Sequence, residues 1–189
     1  HGHGAEVGSG ARSRPATRVT MVDISVAVVG ADTPGNVGTI ARAMKNFGVE
    51  DLYLIDPPEL DPEGEAYGFA GHARDDVLPD AKEIDFETLV STFYTVGFTA
   101  TTNETGSSHV RYPFVRVQDL AGELDGVDAN VALVFGREDV GLTNEEIARL
   151  DRVCSIPATA AYPVLNLGQA ATIALYELRD LQDADTQLP

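Results

Sequence analysis

The chain has 189 residues, 43% hydrophobic and 7% aromatic, which suits one domain with a substantial core. It carries 30 acidic residues against 13 Lys and Arg, a net charge of −17 spread along the whole length. No stretch approaches the ~18–20 apolar residues of a membrane span, and the lone Cys154 excludes an intrachain disulfide and argues against a Cys-rich metal centre.

In dilute buffer such a surface repels itself and other polyanions. At molar salt the Debye length falls to about 3 Å and both repulsions are screened. The composition therefore points to a salt-loaded, halophilic cytoplasm; a basic partner is the alternative. Residues 1–20 lack apolar periodicity and read as an extension, disordered or introduced by cloning. The folded domain is expected over 21–182, with 183–189 as a tail. His1 and His3 have no further ligands at usable spacing, so no metal site is expected. The start shows no signal-peptide pattern, in keeping with a cytoplasmic protein.

The elements follow in order. ISVAVVG (24–30) is an apolar, β-branched run ending in glycine, a buried strand. TPGNVGTIARAMKNFG (33–48) predicts a helix, with Val37, Ile40, Ala41, Met44 and Phe47 at helical spacing and Gly48 as its stop. DLYLIDPP (51–58) is a strand ended by two prolines. Short helices are expected within 62–78 and over 85–92, then a strand, TFYTVGFTA (92–100). TTNETGSSHVRYPF (101–114) is a polar loop long enough to carry function. A helix over 117–124 precedes the buried strand NVALVFG (130–136). LTNEEIARL (142–150) is a helix opened by a Thr143–Glu146 capping box. RVCSIP (152–157) is the last expected strand and 165–182 the last helix. This alternation predicts an α/β domain, a mostly parallel sheet with helices on both faces. Ligands of such sheets sit at the carboxyl ends of the strands.

Gly30, Gly35 and Gly38 follow the first strand, but their spacing of five and three is not that of a dinucleotide fingerprint. No Gly-Lys-Ser/Thr exists, which excludes a P-loop. Asn36 and Arg42 lie six apart, expected near the same end and side of their helix. VFGREDVGL (134–142) ends a strand on a glycine and follows it with charge. Gly136 would let a flat ligand approach the backbone, Arg137 offers a phosphate-matching fork, and Glu138 stands beside it to hold that fork. Asn166, between two leucines at a helix start, is a cap or a buried polar anchor. The small residues Gly168, Ala170, Ala171 and Ala174 suit a tight chain crossing or a dimer seam.

Three motifs in order, Asn36-x-Gly38-x-x-x-Arg42, Phe135 to Leu142, and Ile156-Pro157 with Leu165-Asn166-Leu167, resemble those of the SpoU/TrmH branch of SPOUT RNA 2′-O-methyltransferases. Within it, VFGRE-VGLTNEE and AYPVLNL look most like the TrmJ type in its archaeal form. The resemblance covers 24–180. It implies a C-terminal deep trefoil knot, an exception to the unknotted rule. It also implies bound S-adenosylmethionine and a homodimer in which two subunits build each active site. Phe98, Thr99, Ala100, Gly136, Ile156, Pro163, Val164 and Leu165 would hold the cofactor, with Gly136 making room for it. Arg42 and Asn36 would be catalytic. Arg137, Glu138, Arg111 and Asn166 would face RNA or the partner subunit. The implied substrate is tRNA, at cytidine or uridine 32; rRNA and a catalytically silent binding module are the alternatives. Thr101 and Asn103 stand where bacterial TrmJ types carry arginines, and Pro163 and Val164 where they carry serines.

The acidic composition sets a first test. Circular dichroism at falling KCl should show loss of the folded state between molar and millimolar salt; a fold indifferent to KCl would remove the halophilic reading.

Overall fold

The computed structural model describes residues 22–100 and 113–182. The extension at 1–20, the tail at 183–189 and nearly all of the polar loop expected at 101–114 lie outside the described residues. Seven strands form one sheet: β1 (Ile24–Val29), β2 (Leu52–Ile55), β3 (Lys82–Glu83), β4 (Tyr94–Phe98), β5 (Phe114–Arg116), β6 (Val131–Phe135) and β7 (Arg152–Ser155). Their order across the sheet is β3-β2-β1-β6-β4-β7-β5, and every pairing of these strands is parallel. The helices are α1 (Pro34–Asn46), α2 (Glu65–Phe69), α3 (Phe86–Thr92), α4 (Val117–Leu124), α5 (Asn144–Ala148) and α6 (Leu167–Glu177). Short 3-10 turns cover Gly71–Arg74 and Arg179–Leu181.

The central strands are apolar throughout because both faces are covered. All six residues of β1 are buried. Val26 and Val28 pack with α1, α2, α4 and α6, while Ala27 and Val29 pack with α3 and α5. The expected helices on both faces are therefore present. The edge strands β3 and β5 were not foreseen. Lys82 and Glu83 are exposed and charged, and Phe114–Arg116 closes a stretch that reads as loop. Neither offers an apolar run, because each is paired on one side only.

Helix α1 packs directly against both α2 and α6. A side-chain carbon at Gly38 would run into the backbone carbonyl of Ala66 in α2, and one at Gly168 in α6 would press on Thr39. The small residues at these positions let α1 meet the backbone of α2 and let α6 close on the Thr39 side chain of α1. Backbone cannot swing aside as a side chain can. Gly38→Ala should therefore cost about 1–3 kcal/mol by overpacking, read as a lowered denaturation midpoint at molar KCl. An unchanged midpoint would contradict the α1–α2 contact.

Candidate active site

Parallel pairing sets the carboxyl ends of β6, β4, β7 and β5 side by side. Gly97 is in register with Val134, Phe98 with Cys154, and Arg116 with Ser155. The Thr99 amide extends the ladder by donating to the Cys154 carbonyl at 3.1 Å. Phe98 and Phe135 stack with ring centres 4.6 Å apart and planes 11° from parallel. Phe98, Thr99, Gly136 and Ile156 thus stand at neighbouring strand ends, with Ala100 directly after. Pro163, Val164 and Leu165 lie on the approach to α6; the first two are exposed and Leu165 is half-buried.

The segment 156–166, IPATAAYPVLN, holds no charged residue in a chain that is 23% charged. It leaves Val164 55% and Tyr162 80% exposed. This neutral, partly uncovered segment follows the carboxyl end of β7. Among the described residues no cluster of His, Cys, Asp and Glu could hold a metal ion.

One chain of hydrogen bonds joins the three motifs. The Glu138 carboxylate accepts from the Asp32 amide at 2.9 Å, the Thr33 amide at 3.1 Å and Asn36 Nδ2 at 3.3 Å. Asn36 Oδ1 accepts in turn from Asn166 Nδ2 at 3.3 Å. Asn166 Oδ1 accepts from the Gly168 and Gln169 amides at 2.9 and 3.3 Å, capping α6. Asn166 is therefore the cap its position suggested; it is exposed, so the alternative of a buried anchor does not hold. Burial pushes the Glu138 carboxyl up, but the hydrogen bonds it accepts outweigh burial and hold it below the ordinary 4.5.

Several expectations are corrected here. Glu138 does not hold Arg137. The Arg137 fork lies on Glu146 instead, Nη1 to Oε1 at 2.8 Å and Nη2 to Oε2 at 3.4 Å, and Nη1 also donates to the Gly141 carbonyl at 3.2 Å. That hydrogen bond to Glu146 raises the Arg137 pKa. Glu146 doubles as the capping-box residue of α5, accepting from the Thr143 amide at 2.8 Å. Gly136 is not open to a ligand where its side chain would be, because the backbone of Gly141 and Leu142 fills that space. Its lack of a Cβ serves the turn that folds back over it. Asn36 and Arg42 do not share one end of α1: six residues separate them by about 9 Å along the axis. Arg42 is exposed and lies over Gly71, on the α2 side. Arg111 lies outside the described residues. Cys154 is buried, and burial pushes its thiol up to about 12.

Two features escaped sequence reasoning. The amides of Asp32 and Thr33 carry no sequence signal at all. Arg116, exposed at the end of β5 beside Ser155 and hence one residue from Ile156, fell between the loop expected at 101–114 and the helix expected at 117–124.

Glu138 offers a test with a defined sign. A carboxyl with a lowered folded pKa stabilises the fold fully above its unfolded pKa, and the effect fades as pH falls through the folded value. Glu138→Gln should cost about 1–2 kcal/mol at pH 7, a gap that closes as pH falls below the ordinary 4.5 and through the lowered folded value. A gap constant with pH in denaturant titrations would contradict the role of the charge.

Comparison with known proteins agrees with this geometry. The model of the SpoU rRNA methylase family matches residues 23–176. The tRNA (cytidine-2′-O-)-methyltransferase TrmJ of Methanocaldococcus jannaschii is 37% identical over 160 residues, covering 84% of this chain and 68% of that protein. The crystal structure of TrmJ from Z. mobilis superposes with a TM-score of 0.71 at 27% identity, over 88% of this chain and 73% of that one. An AdoMet-bound rRNA methyltransferase from Sinorhizobium meliloti shares the fold, with a TM-score of 0.66 at 21% identity, over 84% and 56% of the two chains. With its three motifs joined through Glu138, Asn36 and Asn166, and the family model matched along nearly the whole described fold, the chain belongs to the SpoU rRNA methylase family.

Proposed function

We propose that the chain is an S-adenosylmethionine-dependent RNA ribose 2′-O-methyltransferase acting on tRNA, at cytidine or uridine 32 as in the TrmJ type. The observation that carries this reading is the Glu138–Asn36–Asn166 chain, which joins the family's three motifs beside a neutral, apolar set of strand ends.

When bound, S-adenosylmethionine supplies a methyl group already activated on a sulfonium. The protein's share is then position and charge. Phe98, Thr99, Ala100, Ile156, Pro163, Val164 and Leu165 would hold the cofactor, with Gly136 bringing the turn after β6 against it. Asn36 has both ends of its amide engaged, by Glu138 and by Asn166, so its share is to position the approach to α6. Arg42 has no hydrogen bond or ion pair to a described residue and keeps its fork for the RNA. An arginine is an anion-binding fork rather than a base. Arg42 binds the phosphate beside the target ribose and stabilises negative charge developing on the 2′ oxygen.

The distance of Arg42 from Asn36 along α1 supports a site shared between two subunits. A groove of about 400 Å³ between α1 and α6, lined by Thr39, Leu165, Gln169, Thr172 and Ile173, supports a homodimer seam on that side. In the sheet, β7 lies between β4 and β5 although it follows both in sequence. That order supports the trefoil knot. No helix among the described residues is long and apolar enough to cross a membrane; a cytoplasmic location, as tRNA modification requires, completes the proposal.

Methyl incorporation into tRNA and into rRNA, assayed separately at molar KCl, tests the reading; label in neither would overturn it. Arg42→Ala should lower turnover at least ~100-fold, with partial return in Arg42→Lys. Near-normal turnover in the alanine variant would remove Arg42 from the chemistry.

A further inference from the structure

Among the nine described Lys and Arg residues, five are spoken for. Lys45 pairs with Asp76, Arg137 with Glu146, Arg149 with Glu87 and Arg152 with Glu123. Arg179 lies on the Tyr176 ring and donates to the Tyr176 carbonyl. Arg74 is different. It is exposed, and its guanidinium has no hydrogen bond or ion pair with a described residue. The acids beside it are directed elsewhere. Asp75 lies 4.0 Å from His72 Nδ1, and Asp76 takes Lys45 and the Val77 amide.

Its place in the fold links it to Arg42. Gly71 opens the 3-10 turn Gly71–Arg74 with φ +57°, a conformation that suits glycine. Arg42 lies across it: Cδ, Nε and Cζ sit 3.6, 3.7 and 3.8 Å from where a Gly71 Cβ would be. In a 3-10 turn, residues three apart share one face, about 6 Å from each other along the axis. Arg74 therefore stands on the edge of the turn that carries Arg42. Two guanidinium groups thus border one turn, and neither is paired with a carboxylate of a described residue.

We propose that Arg74 is a second phosphate-binding residue for the RNA substrate, gripping a phosphodiester next to the one held by Arg42. This rests on the RNA methyltransferase reading. Arg42 serves the reacting ribose, while Arg74 fixes the register of the strand and touches no reacting atom. At molar salt long-range attraction is screened, so a contact at hydrogen-bond distance is the form in which an acidic protein can hold an RNA backbone.

The test uses the full chain with unmodified tRNA transcripts at molar KCl, comparing wild type, Arg74→Ala and Arg74→Lys. Arg74→Ala should raise the KM for tRNA about tenfold, with kcat within about twofold of wild type. Arg74→Lys should recover part of the loss. The slope of log binding constant against log KCl should fall in magnitude by about 0.7–0.9 in the alanine variant. S-adenosylhomocysteine affinity by calorimetry should be unchanged, which separates the proposed role from a folding defect. An active wild type with an unaltered KM for tRNA in Arg74→Ala would overturn the proposal alone, as would an equal loss of S-adenosylhomocysteine affinity. A wild type inactive on both tRNA and rRNA would overturn the parent reading and this one with it.

Discussion

The Glu138 carboxylate rests against the entrance of α1, where two backbone amides and one side-chain amide converge on it. A helix start presents unsatisfied N–H groups and the positive end of the peptide dipoles. Thr33 occupies the N-cap position of α1 but makes no side-chain capping bond. Glu138, from a loop more than a hundred residues further on, accepts instead from the Thr33 amide and from the Asp32 amide just before it. Its charge matches the site, so the attachment is stronger than a neutral acceptor would give. The turn after β6 is thereby fastened to the helix after β1, although the two are remote in sequence.

The rest of the site follows from that attachment. With Glu138 on one end of the Asn36 amide, the other end faces Asn166, and Asn166 caps α6. Where α6 begins decides where 156–166 must run, and this neutral segment lies at the ends of the strands. Glu146 does a parallel job on the other side of the turn, holding Arg137 while capping α5. Two of the chain's 30 acids are thus used as structural acceptors around one loop. Others, such as Asp23, Glu50 and Asp139, are exposed.

What could be read from the sequence was local. The β-branched runs at 24–29 and 131–135 announce strands buried on both faces. Thr143 and Glu146 announce their cap from a spacing of three. The parallel sheet followed from alternation alone. What could not be read was every contact between distant segments. Nothing around Glu138 says that its partners are Asp32, Thr33 and Asn36, 102 to 106 residues away. The adjacency of Arg137 and Glu138 suggested a pair that the turn at Gly141 replaces with Glu146. Gly136 looked like room for a ligand because a sequence cannot show the chain folding back over it. The edge strands lacked the apolar signal on which strand recognition depends, and Arg116 was overlooked with them.

The central claim is that Asn36 and Asn166, 130 residues apart, act as one unit. A double-mutant cycle with Asn36→Ala, Asn166→Ala and the double variant, unfolded in denaturant at molar KCl, addresses it most directly. Groups sharing a hydrogen-bond chain should couple by at least about 0.5 kcal/mol, the double variant losing less than the sum of the singles. Losses that add within about 0.3 kcal/mol would mean that the two residues act separately and that the three motifs are not joined through them.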